Sequence, residues 1–127
     1  MAALGNAEEL RTQARAIKAH TIAHLDRYLE QFATQFAQLG VHVHWADDAA
    51  EARTIIASIA KDADAKVVVK GKSMATEEIQ LNDHLEAAGY EVVETDLGEY
   101  IIQLAGETPS HIIAPAIHKT RKQIAQL

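Results

Sequence analysis

Cysteine is absent from this 127-residue chain. No disulfide, thiol nucleophile or cysteine-ligated zinc or iron–sulfur cluster can therefore form within these residues. No apolar run approaches the roughly 18 residues that a membrane span requires. The first residues lead directly into a charged amphipathic segment rather than a signal-peptide pattern, so a cytoplasmic protein is expected. Aromatic residues make up only 5% of the chain, and none is interleaved with lysines as a groove for single-stranded nucleic acid requires. Basic residues are also outnumbered, 12 against 18 acidic, for a formal net charge of −6. That balance argues against nucleic acid as a partner. Repeats, low-complexity segments and interdomain linkers are missing as well. What remains, 48% hydrophobic and 24% charged, suits a single domain over 1–127: a long helix at about 7–39, then an α/β part at 41–127.

The stretch around which the chain is organised is Val67-Val68-Val69-Lys70-Gly71-Lys72-Ser73-Met74. Three consecutive β-branched residues without polar alternation predict a central strand covered on both faces. Ser73 falls where a helix N-cap belongs. The first-turn amides, the positive helix end, Lys70 and Lys72 together make an anion site the natural expectation. Exposed lysines at an ordinary strand-to-helix turn are the plainer alternative. Gly71-Lys72-Ser73 resembles the tail of a Walker-type phosphate loop, but Lys66 stands where that pattern needs its first glycine, so nucleotide hydrolysis is not expected.

Upstream, Asn6-Ala7-Glu8-Glu9 predicts a capping box opening a long helix. Its apolar stripe includes Leu10, Ile17, Leu25, Phe32 and Phe36, and Gly40 ends it. Val41, Val43 and Trp45 alternate with His42 and His44 as in a strand with one apolar face. Asp48-Ala49-Ala50-Glu51 repeats the capping box before a second helix. After the valine strand, Met74, Leu81 and Leu85 mark a third helix ending at Gly89. Tyr90 to Glu94 reads as a strand, Asp96 to about Leu104 as a capped helix, His111 to Ala114 as a last strand, and Pro115 to Leu127 as a final helix without a closing cap, as though cut. Strand and helix alternate four times. This predicts a three-layer α/β/α fold with a mostly parallel four-stranded sheet and right-handed crossovers.

In such a sheet the ligand crevice lies beyond the carboxyl ends of the strands. Lys70, Lys72 and Ser73 follow one strand, Asp96 and Glu99 another, and His118 and Lys119 the last. Convergence would surround a small anion with Lys70, Lys72, Ser73, His118 and Lys119, leaving Asp96 or Glu99 for proton transfer. The competing reading makes Asp96 an N-cap, Glu99 its box partner, and His118 and Lys119 solvated helix residues. Seven histidines invite a metal, with His20 and His24 one helical turn apart and His42 and His44 on one strand face. Two ligands are too few, and no metal is expected. Ser58, Ser73 and Ser110 lie in no nucleophile elbow.

Three blocks, Lys70 to Ile79, Glu94 to Leu104 and Pro109 to Thr120, resemble the lactate-utilisation (LUD) domain family. The upstream His20 to Asp26 and Val43 to Ala46 are similar to its LutB-type iron–sulfur proteins of bacterial lactate oxidation. Gly71 is a departure, since a serine is expected there. The resemblance implies a fold of the CoA-transferase/ribose-phosphate-isomerase-like group. It also implies a role in a cytoplasmic multi-subunit system that oxidises L-lactate to pyruvate, with the other subunits as partners. LutB-type proteins continue into a region whose two four-cysteine motifs bind 4Fe-4S clusters and carry electrons. Neither motif is here, so this chain resembles the N-terminal portion of such a protein, as a fragment or a truncated relative, with no cofactor of its own.

Two functions follow from the resemblance and the cationic turn. In the first, the chain is the N-terminal LUD portion of an iron–sulfur component of lactate oxidation, contributing scaffold and a small-anion site without catalysing a reaction in isolation. In the second, it is a stand-alone sugar-phosphate or CoA-thioester enzyme in which Lys70, Lys72 and Ser73 grip phosphate. The sequence assigns no catalytic residue by family.

Overall fold

The computed structural model describes residues 6–127, which divide between His44 and Trp45 into two compact units. The first is helical. Its apolar stripe forms α1 (Ala7–Ala23) and α2 (Leu25–Gln38) rather than one uninterrupted helix. The break is at His24, whose backbone leaves helical geometry (φ −130°, ψ 29°) while its Nδ1 lies 2.9 Å from the carbonyl oxygen of His20. Asn6 makes no side-chain cap, contrary to the capping box expected there. Gly40 ends α2 as expected: at φ 75° it turns so that the Val41 N–H reaches the Phe36 carbonyl and its own N–H reaches that of Ala37.

The second unit opens with α3 (Ala49–Asp62), capped by Asp48, whose side chain accepts from the Glu51 N–H at 2.8 Å. Glu51 reaches back to the N–H of Asp47 at 2.7 Å, which closes the box one residue early. Then follow β1 (Val67–Lys70), α4 (Met74–Glu78), α5 (Leu81–Ala87), β2 (Glu91–Glu94), α6 (Leu97–Ala105) and α7 (Arg121–Ile124). The strands pair in parallel, Val67 opposite Glu91 and Lys70 opposite Glu94. Leu81, Leu85 and Val92 form the buried core, with Ile56, Val68 and Tyr90 packed against it. No helix of the described residues is long and apolar enough to cross a membrane.

The structure is mixed α/β, with a smaller sheet than the sequence predicts. Among the described residues, 41–45 and 111–114 take no strand partner; the first is irregular and the second a series of bends. A strand is stabilised by a neighbour's main chain, and an alternating pattern alone does not supply one. β1 is consequently an edge strand rather than a central one. Its second face is open too, with Val67 47% and Val69 64% exposed. The expected third helix is interrupted where Gln80 adopts a left-handed backbone (φ 52°), separating α4 from α5. Arg53 on α3 donates to the carbonyl of Ile79 at 2.8 Å, beside this break. The final helix is reduced to α7, which begins with a full capping box between Thr120 and Gln123, while Pro115 to His118 form turns.

Candidate functional site

The parallel register brings Lys70 and Glu94 opposite each other at the carboxyl ends of the two strands. Each is the last residue of its strand, and both point to the core face that holds Val68 and Val92. They form an ion pair with side chains only 13% and 6% exposed. The other oxygen contact of this pair is Asn82, on α5, which donates to Glu94 Oε1 at 2.9 Å.

Two residues on, Lys72 leaves the strand line and its ammonium is held by Glu77 at 2.6 Å and by Glu99. Glu77 stands in the first turn of α4 and Glu99 in the first turn of α6, so one cation ties the starts of two helices together. Burial works against the Lys72 ammonium, but its hydrogen bonds to Glu77 and Glu99, with their charges, outweigh that and hold its pKa above the ordinary lysine value. Glu99 is buried and does not reach back to complete a capping box. Its carboxylate is spent on Lys72 instead.

Ser73 and Asp96 are caps. Ser73 accepts from the Thr76 N–H at 3.4 Å, and Asp96 accepts from the N–H groups of Gly98 and Glu99 at 3.1 and 3.4 Å. Gly98 has little room for a side chain: a Cβ there would lie 3.0 Å from the ring of Pro115, which would have to give way by a few tenths of an ångström. That contact seats the loop after residue 106 against α6.

His118 and Lys119 lie on this loop, and Glu107 gathers both. His118 Nε2 is 2.8 Å from Glu107, and Lys119 pairs with the same carboxylate. Hydrogen bonding by Lys119 first, then by His118, lowers the Glu107 pKa below the ordinary carboxylate value. The other imidazole nitrogen is 2.7 Å from Ser110 Oγ, which donates to the carbonyl of Pro115 at 3.0 Å. Carboxylate, imidazole and hydroxyl thus stand in line, although Ser110 lies in no elbow. Here they act as a loop staple.

The strand ends and this loop border one groove. Two adjoining lobes of about 380 Å³ each share Glu77, Asn82, Asp83, Thr108 and Pro109. Glu94 and Glu99 line one lobe, and Lys70 lines the other. Lys72 meets Glu99 and Lys70 meets Glu94, whereas Ser73 and Asp96 serve their helices. Every ammonium singled out from the sequence already has a carboxylate partner. Those partners, Glu77, Glu94 and Glu107, were not identified from the sequence, and neither were Asn82 and Gln103. Only the strand register, which places Glu94 opposite Lys70, would have pointed to one of them.

On the first unit, the rings of His20 and His24 stack at 4.3 Å, and His20 Nε2 is 3.1 Å from the Tyr28 hydroxyl. No group of three or more potential ligands is placed to hold a metal ion among the described residues.

The chain matches the LUD domain family over residues 29–127. It is 51% identical over 122 residues to Lactate utilization protein B of Shouchella clausii and 52% identical over 122 residues to that of Bacillus licheniformis. The Bacillus velezensis protein of the same name is 50% identical over 122 residues. Each alignment covers 95% of this chain but 26% of the relative, so the chain spans about a quarter of the length of these relatives. No solved structure matches it significantly.

Proposed function

This chain belongs to the LUD domain family, and from that premise we propose that it is the N-terminal LUD portion of a lactate utilization protein of the B type, acting in bacterial growth on L-lactate. The observation that carries this reading is identity near one half along 95% of the chain to relatives of that name. In the full reading, the complete protein is an iron–sulfur component of a system that oxidises lactate to pyruvate. Its clusters would lie outside these residues, since the chain has no cysteine. The contribution of this portion is a scaffold, because Lys70, Lys72 and Lys119 are engaged in fixing strand ends, helix starts and a loop.

The reading also expects a larger sheet, of the CoA-transferase/ribose-phosphate-isomerase-like kind, in the longer protein. It is supported by the outer edge of β1, where the alternation of the parallel ladder turns the N–H and C=O groups of Val67 and Val69 away from β2.

The test is complementation. A strain lacking its lactate utilization protein B receives a full-length copy in which this chain replaces the matching region. Growth on L-lactate as sole carbon source is the expected result. A chimera that accumulates stably yet gives no growth overturns the proposal.

A further inference from the structure

The loop after α6 holds more than a staple needs. Lys119 on Glu107 would tie it down alone, yet Glu107 also meets His118, and His118 meets Ser110. The protons along this line can be placed. Lys119 first, then His118, keeps Glu107 ionised, and a carboxylate oxygen 2.8 Å from Nε2 requires the ring N–H at that nitrogen. In the neutral imidazole Nδ1 is then a bare acceptor, 2.7 Å from Ser110 Oγ. The hydroxyl has one hydrogen and two acceptors in reach, Nδ1 and the Pro115 carbonyl. That carbonyl already receives the Ser110 N–H at 3.1 Å, so the hydroxyl hydrogen is available to His118.

Three further observations concern what could meet the hydroxyl. Glu107, Ser110 and His118 are all exposed, so small molecules in solution reach the line. The N–H of His111, the residue after Ser110, has no acceptor among the described residues, and it stands where a donor to a developing oxyanion belongs. Residues 113–117 also form one wall of an apolar cleft of about 240 Å³, faced by Leu97 and Ile101 of α6. Ser110, bonded through both N–H and Oγ to Pro115, lies at the margin of that cleft.

We propose that Ser110 is a nucleophile that takes up and hydrolyses an acyl ester with a short apolar chain, with His118 as its general base and Glu107 as the residue that positions the imidazole. Ser110 Oγ bonds to the acyl carbon as its proton passes to His118 Nδ1. The imidazolium gives that proton to the departing alkoxide as the ester C–O bond breaks. Water then attacks the acyl-serine through the same base, and the carboxylic acid leaves as Ser110 regains its hydrogen. An elbow lifts a serine clear of a sheet, whereas Ser110 is already exposed on a loop. This inference concerns the loop alone and does not depend on the lactate reading.

The whole chain is treated with a butyl fluorophosphonate, from which serine displaces fluoride, and separately with p-nitrophenyl butyrate. The expected result is one adduct, located on Ser110 by peptide mass and lost in Ser110→Ala. It should form about tenfold or more faster than on Ser58, an exposed serine of α3 that bonds to no imidazole among the described residues. His118→Gln should slow both reactions about a hundredfold. Added imidazole should restore part of the rate in His118→Ala, a rescue that a merely structural histidine would not show. Glu107→Gln should slow p-nitrophenolate release about tenfold or more at an unchanged saturation constant. The proposal is overturned if Ser110 of the folded parent reacts no faster than Ser58, or no faster than Ser110 of the urea-unfolded parent, comparisons that need no variant to fold. It is equally overturned if Ser110→Ala hydrolyses the ester as fast as the parent, or if His118→Gln, shown to be folded by circular dichroism, does so.

Discussion

Gln103 completes the outer edge of β2 at Glu94. Its side-chain oxygen accepts from the Glu94 N–H at 3.0 Å while its nitrogen donates to the Val92 carbonyl at 2.6 Å, so one amide takes the place of a neighbouring strand's peptide group. Both main-chain groups face away from β1 and would otherwise be buried without a partner. A side chain in the second turn of α6 thereby holds the strand whose last residue carries the groove carboxylate.

Gln103→Leu removes both bonds at similar volume. A loss of about 1–3 kcal/mol is expected in urea unfolding. Amide exchange at Glu94 should accelerate more than at Val68, which stays bonded within the sheet.

Lys70→Met leaves Glu94 buried without its counter-charge and should cost on the order of 3 kcal/mol. Lys70→Met combined with Glu94→Leu should cost less than the single change, since no uncompensated charge remains. Chemical unfolding of the two variants decides this, and a double variant weaker than the single one would show that the pair is not coupled.

The staple at Glu107 has a definite pH dependence. Its carboxyl titrates below the ordinary value of 4.5 in the folded chain, so its contribution is present above that value and is lost as pH falls through the lowered one. Carboxyl-carbon NMR should give a midpoint below 4.5 that moves up in Lys119→Met. Lys72 behaves oppositely: raised above 10.5, its contribution is intact below that value and disappears as pH climbs through the higher one.

Gln80 occupies a left-handed backbone position without being glycine. Gln80→Gly should therefore raise stability by about 1 kcal/mol through relief of that strain. Thermal unfolding provides the measurement, and a destabilised variant would indicate that the Gln80 side chain contributes more than its backbone costs.

Asp96→Ala removes the cap that receives the Gly98 and Glu99 N–H groups. A cost of about 1 kcal/mol is expected. Asp96→Asn should retain most of the stability, because its amide oxygen can accept the same bonds.

Sequence by itself determined the features that act between near neighbours. Asp48, Ser73 and Asp96 cap helices because a short oxygen-bearing side chain meets amides two or three residues ahead, and Gly40 ends α2 because it alone turns left without strain. The valine run and Glu91 to Glu94 formed strands for a similarly local reason, the fit of branched side chains to extended backbone. Tertiary structure alone decided what the charges do. Lys70 finds Glu94 through the strand register, and Lys72 meets Glu99 from 27 positions away. It also decided that 41–45 and 111–114 stay outside the sheet, since a strand's hydrogen bonds belong to a neighbour as much as to itself. The residues of the candidate site could be read in order along the chain, but the pairing of its charges could not, because that depends on which side chains arrive there together.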